Sequence, residues 1–379
     1  MDFSKLTDYL DRIGECGIPA RHMIVYRNGE PIYDHTAGFA DEAHTKPVSG
    51  KDIYWFYSVT KVVTCVAALQ LVEQRKIGLD DAVSKYLPEY ADLSVLKKDG
   101  TVVKAENTMT VRHLFTMTGG LSYDIRMKPI ADLLAENPNA ATRELVAEFV
   151  KKPLLFEPGT SYSYGLCHDV LAAVIEVASG MKFSEYLNKY IFDPLGMKSM
   201  CFHPTEEQIE NDMSDLYYHD RGLFKAVKKD KNNDFVLSPR YESGGAGLCG
   251  RAEDYAKFAG AMANSGVSSD GYRLLKADTV NMMKSVQLTE PVQRAYMFTV
   301  GKPGYSYGLG VRTHVNKLIS MSRSPLGEFG WCGAASSYTM IDTDNKLAIF
   351  FAAHVVGCPY AEQTVQPHLR DLTYDALGL

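Results

Sequence analysis

Residues 59–75 are apolar on nearly every side, which predicts a buried helix, closed by Lys76-Ile77-Gly78 in the manner of a glycine-terminated helix. Residues 5–15 have helical periodicity. The runs His22–Arg27 and Pro31–Phe39 are rich in strand formers, and Asn28-Gly29 between them is a strong hairpin signal. From about residue 80 to 220 the texture changes to short helical segments and proline-bearing loops, including Met109–Thr118, Arg143–Val150 and Asp169–Ser179. After Arg251 an amphipathic helix runs to Asn264. Strand-like runs come next, at Ser306–Thr313, Ser336–Asp342 and Lys346–His354, the last two joined by Asp344-Asn345. Tyr360–Leu377 again reads as helix. These elements predict an α+β fold: a mainly antiparallel sheet flanked by N- and C-terminal helices, with an inserted all-helical domain. The expected division is residues 1–79 plus 221–379 for the sheet domain and 80–220 for the insert, with a cleft between them.

Composition narrows the functions open to such a chain. Its 379 residues are 46% apolar, enough for a sizeable core, and the formal charge of -6 is spread without a Lys/Arg block. That argues against nucleic acid and membrane surfaces as partners. The amino terminus alternates charged and apolar residues where a secretory signal needs an apolar run, and no stretch approaches the roughly 18 apolar residues of a spanning helix. The seven cysteines are scattered without a C-x-x-C pair. Reduced thiols in a cytoplasmic protein are the expectation.

The candidate chemistry lies at the head of the apolar helix, in Ser58-Val-Thr-Lys61. Positions i and i+3 share a helix face, so the hydroxyl and the amine can meet. A helix start favours an anion, and burial disfavours a charged amine, so a neutral Lys61 could accept the serine proton. The alternative is an N-cap serine beside a solvated lysine. Ser-x-x-Lys recurs at Ser94–Lys97 and Ser179–Lys182, but only at Ser58 does it open a buried helix.

Wider context supports the first reading. The stretch Tyr57–Tyr90, then Met109–Ser122, Glu157–Tyr164, Gly244–Leu248 before Arg251–Tyr255, and Gly330-Trp-Cys-Gly333, occurs in the order found in serine β-lactamases and penicillin-binding proteins. The chain resembles that superfamily, and within it the class C β-lactamases and the family VIII carboxylesterases. The resemblance implies a β-lactamase/transpeptidase-like fold and an acyl-serine mechanism without cofactor or metal. It implies Ser58 as nucleophile, Lys61 as its proton partner and Tyr164 as general base, at the place of a Tyr-x-Asn element whose asparagine is here Leu166. Tyr162 is the alternative two residues earlier. Trp331-Cys332-Gly333 stands where β-lactamases carry Lys-Thr-Gly. Losing that lysine shifts preference from carboxylate-bearing β-lactams toward uncharged acyl groups. The backbone N–H groups of Ser58 and Ala334 would form the oxyanion hole, with Gly333 permitting close approach. Trp331, Gly333, Tyr123 and Tyr241 are the expected substrate contacts.

A small-molecule ester is accordingly the expected partner, and a carboxylesterase the expected activity. Acyl transfer, or weak β-lactam or D-amino peptide hydrolysis, would use the same acyl-enzyme. A non-catalytic ligand-binding member is the reading from another class. Gly245–Gly250 matches G-x-G-x-x-G but lacks a preceding buried strand, and is read as a close-packed turn lining the cleft. Gly120-Leu-Ser-Tyr-Asp124 lacks the second glycine of a nucleophile elbow. No histidine pair has zinc spacing, and His113 and His168 are read as structural.

Overall fold

The two hairpins follow from their turn residues. In a computed structural model that describes residues 1–221 and 225–379, helix α1 (Ser4–Arg12) leads through a 3-10 turn to strands β1 (Ala20–Arg27) and β2 (Glu30–Gly38). Asn28 and Gly29 both have positive φ, 55° and 84°, the conformation a two-residue hairpin needs to match strand twist. Short strand β3 (Ile53–Trp55) and helix α2 (Thr60–Glu73) follow. Residues 60–71 of α2 are all buried, so the helix is enclosed on every side. It stops earlier than its glycine suggested. Arg75 takes the left-handed conformation (φ 58°), and Gly78 lies beyond, its N–H donating to Asp81.

The segment between residues 80 and 220 supplies the helical layer, with α3 (Cys167–Ser179) packed against α2. It also carries a hairpin of Ser94–Leu96 with Val102–Lys104, and Leu216–Asp220 pairs with Lys225–Lys229 and, in parallel, with Val355–Val356. Within it, His113 closes a capping box with Thr110, a structural role. Strand β4 (Cys249–Arg251) pairs antiparallel with β3 and runs into α4 (Ala252–Ala263). Strands β5 (Tyr305–Tyr307), β6 (Arg312–His314), β7 (Phe329–Cys332), β8 (Tyr338–Asp342) and β9 (Leu347–Ala353) complete an antiparallel sheet of order β2-β1-β9-β8-β7-β6-β5. The β8–β9 turn is held by Asp342, which accepts from the N–H groups of Asp344 and Asn345.

The sheet is covered on both faces. Alternate residues Met23, Val25, Ile349 and Phe351 meet α1 and the C-terminal helix α5 (Gln366–Leu377), while Ile24 and Phe350 face α4 and α2. The second of these cores is continuous from Phe350 through Val62 and Leu69 to Leu171 and Val174, so sheet and helical layer share one interior. The ends of α2, α3 and β7 come together on it.

Candidate active site

Ser58 is held in a strained turn. Phe56 N–H donates to Leu248 O (2.9 Å), extending the β3–β4 pairing, and Tyr57 then adopts φ 48°, unfavourable for a bulky aromatic. The Tyr57 side chain pays for that strain by packing with Ala246 and Ala335, fixing the turn between the segments that carry the glycine loop and the end of β7. Ser58 sits in the following 3-10 turn (Tyr57–Val59), and its side chain caps neither that turn nor α2. Lys61 is fully buried, not a solvated first-turn lysine. Its Nζ donates to Gly245 O (2.7 Å) and to Ser58 Oγ (3.1 Å). Burial pushes the Lys61 amine down to about 8, opposed chiefly by the negative charge of Asp169.

The aromatic groups converge on the same point. Tyr164 stacks on Trp331 (ring centres 5.6 Å apart, 19° between planes), and Trp331 Nε1 donates to the Tyr164 hydroxyl at 3.0 Å. Lys61 Nζ lies 4.6 Å from the centre of the Tyr164 ring and 5.6 Å from that of Tyr123. Hydrogen bonding to Ser58 lowers both the Tyr164 and Tyr123 phenols, but desolvation outweighs it and holds both well above the ordinary tyrosine value. Tyr123 packs edge-on against Tyr164 (5.3 Å) and leans on Phe235 (5.2 Å), making an aromatic wall opposite Trp331. Tyr162 points away, edge-on to Tyr296 and Tyr307 in the core, so of Tyr162 and Tyr164 it is Tyr164 that faces Ser58. Leu166 is buried and brings no amide to the site.

The end of β7 closes the other side. A Cβ on Gly333 would collide with Phe56 O and Ser337 Oγ, so only glycine lets this backbone approach the nucleophile turn. Ser337 Oγ donates to Phe56 O (2.8 Å), and Gly333 N–H to Ser337 O (2.8 Å), leaving Ala334 exposed at the head of the turn. Trp331 and Cys332 also line a cavity of about 390 Å³ with Val300, Ile319, Arg312 and Arg370.

Tyr241 is placed differently from its expected role as a substrate contact. It is 1% exposed, and its hydroxyl donates to Asp169 Oδ1 (2.8 Å), because α3 turns that carboxylate into the interior. Asp169 is the residue the sequence reading missed. It also accepts from Ser243 Oγ (2.6 Å) and Gly245 N–H (3.3 Å), gripping the loop whose Gly245 carbonyl holds Lys61. The available signal was a carboxylate in the first turn of a largely apolar helix. The glycines at 244 and 245 serve close packing: a Cβ on Gly245 would lie 2.5 Å from Asp169 Oδ2, and one on Gly244 2.7 Å from Ala172 Cβ. His168 is neutral and structural, pushed down to about 3 by burial, with Nε2 facing Phe115 O at 3.2 Å. The other Ser-x-x-Lys segments have ordinary surroundings: Lys97 pairs with Glu157, and Ser179–Lys182 crosses the end of α3 at left-handed Gly180. Among the described residues there is no cluster of His, Cys, Asp or Glu that could hold a metal, and no helix is long and apolar enough to cross a membrane.

A hydroxyl, a buried amine and a phenol thus share one aromatic-walled site, a set able to perform acyl transfer through serine. The family profile described as Beta-lactamase matches residues 6–364. The chain belongs to the beta-lactamase family. This superfamily of serine hydrolases includes esterases and acyltransferases among the relatives of this member. Acyltransferase calJ of Penicillium decumbens is 26% identical over 400 residues, covering 96% of this chain and 91% of the relative. Esterase EstB of Burkholderia gladioli is 28% identical over 283 residues, covering 67% and 69%. The solved structure of EstCE1, described as a hydrolase with promiscuous acyltransferase activity, superposes with a TM-score of 0.81 over 98% of this chain and 97% of that one. At 22% identity that likeness establishes the beta-lactamase fold.

Proposed function

We propose that this protein is a serine carboxylesterase acting on small, fairly apolar esters through an acyl-Ser58 intermediate. The observation that carries the proposal is the buried Lys61 amine at 3.1 Å from Ser58 Oγ. Lys61 is pushed down to about 8 while Tyr164 is held well above its ordinary value. The amine is therefore the better base at neutral pH, with about one Lys61 in ten neutral at pH 7. This modifies the expected division of labour. Lys61 takes the Ser58 proton as the hydroxyl attacks the ester carbonyl, and Tyr164, protonated, hands a proton to the departing alkoxide and is refilled from Lys61. The backbone N–H groups of Ser58 and Ala334 hold the tetrahedral oxyanion. Water, activated by the same groups, then releases the acid.

Substrate class follows from the walls. Trp331, Tyr123 and Phe235 offer aromatic faces, and Trp331 supplies no charge for the carboxylate of a β-lactam, which favours neutral esters. Acyl transfer to an alcohol is a second reading, supported by the alignment with acyltransferase calJ over 96% of this chain. Free thiols at all seven cysteines make a cytoplasmic setting part of the proposal. A panel of p-nitrophenyl butyrate, a cephalosporin and a D-alanyl-D-alanine peptide, each with and without an added alcohol, tests it. Turnover of the neutral ester is expected to exceed that of the other donors and to vanish in Ser58→Ala. Ester turnover that survives Ser58→Ala would overturn the assignment, and ester product formed mainly on the alcohol would select transfer over hydrolysis.

A further inference from the structure

Away from the catalytic groups, two thiols face each other across a single antiparallel bridge. Cys201 and Cys249 are directly opposite residues of an antiparallel bridge, with N–H to O distances of 3.0 and 2.9 Å in the two directions. Opposed residues that exchange both backbone hydrogen bonds have Cα atoms about 5.5 Å apart, inside the span a disulfide bridges. Their Sγ atoms are already 3.4 Å apart. The flanking segment leaves neither backbone free to drift. Ser199 N–H and Oγ both donate to Asp254 of α4 (2.8 and 2.6 Å), and Arg251 N–H donates to Ser199 Oγ (2.9 Å). Closing the bond brings the sulfurs from 3.4 Å to the roughly 2.05 Å of a disulfide, by side-chain rotation with a small local adjustment of the backbone. Cys201 is half-buried and reachable, while Cys249 is enclosed.

We propose that Cys201 and Cys249 form a reversible disulfide site, oxidised by a small-molecule disulfide such as glutathione disulfide. Cys201 acts first. A hydrogen bond from Cys249 favours its thiolate, whereas burial raises the Cys249 thiol. The Cys201 thiolate attacks one sulfur of glutathione disulfide, breaking that S–S bond, releasing one glutathione and leaving a mixed disulfide on Cys201. Cys249 loses its proton and attacks the Cys201 sulfur, expelling the second glutathione. Two protein thiols are oxidised, one glutathione disulfide is reduced, and the two protons leave on the glutathione thiols. The bond would tie residue 201 to β4 opposite Trp55, three positions before Ser58, and so staple the strands beneath the nucleophile turn.

The experiment is thiol titration and non-reducing peptide mapping of the whole folded protein after exposure to glutathione disulfide. Loss of two free thiols, with the peptides bearing Cys201 and Cys249 joined and separated again by dithiothreitol, is the expected result. Cys249→Ser should retain one glutathione on Cys201, and Cys201→Ser should leave Cys249 unmodified. The wild-type map decides the matter even where a variant fails to fold. Both thiols still free after prolonged exposure, or wild-type Cys201 carrying glutathione beside a free Cys249, would overturn the proposal.

Discussion

In the proposed mechanism Lys61 sets the pH behaviour of the site. Its amine, pushed down to about 8, is active when neutral, so protonation removes the base as pH falls. The acid limb of kcat/KM is therefore expected near pH 8, falling about tenfold per pH unit below it. The groups facing Lys61 include Asp169, which raises its proton affinity, and His168, whose own pKa is lowered by Lys61. Asp169→Asn removes a negative charge and should move the limb to lower pH. A purely structural loss would reduce kcat/KM with the limb in place, and the pH profile separates the two. Tyr164→Phe keeps the ring on Trp331 but removes the proton carrier, and kcat is expected to drop about 10²–10⁴-fold. Ser58, Lys61, Tyr164 and Trp331 were legible because their spacing follows a family order. Asp169 was not, because its role depends on which way α3 turns it. Tyr241 misled for the same reason, since nearness in sequence to the glycine loop does not tell inward from cleft-facing.

The nucleophile turn, α2 and the end of β7 work as one unit. Gly333→Ala would force a methyl group against Phe56 O and Ser337 Oγ. A cost of about 1–3 kcal/mol in stability is expected from such overpacking, together with loss of ester turnover as the turn is displaced. Chemical denaturation and a steady-state assay on the same preparation check both. Leu69→Ala, in the enclosed middle of α2, should cost about 2–5 kcal/mol by leaving a cavity. Helix α2 and the two hairpins were readable from an unbroken apolar run and from Asn28-Gly29 and Asp344-Asn345. The 3-10 turn at Tyr57–Val59 was not, because its strain is supported by Ala246 and Ala335 from far along the chain. Strands β3 and β4 span three residues each, too short for alternation to register.

Across the whole molecule, the sheet joins β1 to β9 over more than half the chain, pairing Arg21 with Ala353. No local pattern specifies that partnership, which arises from two strand faces that need cover on both sides. The outer part of the sheet depends on a buried ion pair, Arg312 to Glu328 at 2.7 Å, whose side chains are 2% and 0% exposed. Tyr338 accepts from the same guanidinium. Glu328→Gln should destabilise the protein by about 3–5 kcal/mol, because it strands a buried charge. Denaturant melts check this. The proposed mechanism makes Ser58 the activated hydroxyl. Treating the protein with an alkyl fluorophosphonate and mapping the adduct by mass spectrometry tests it most directly. One adduct on Ser58, slowed in Lys61→Ala and absent from Ser58→Ala, is the predicted result. An unlabelled wild-type protein, or an adduct on any other residue, would contradict it.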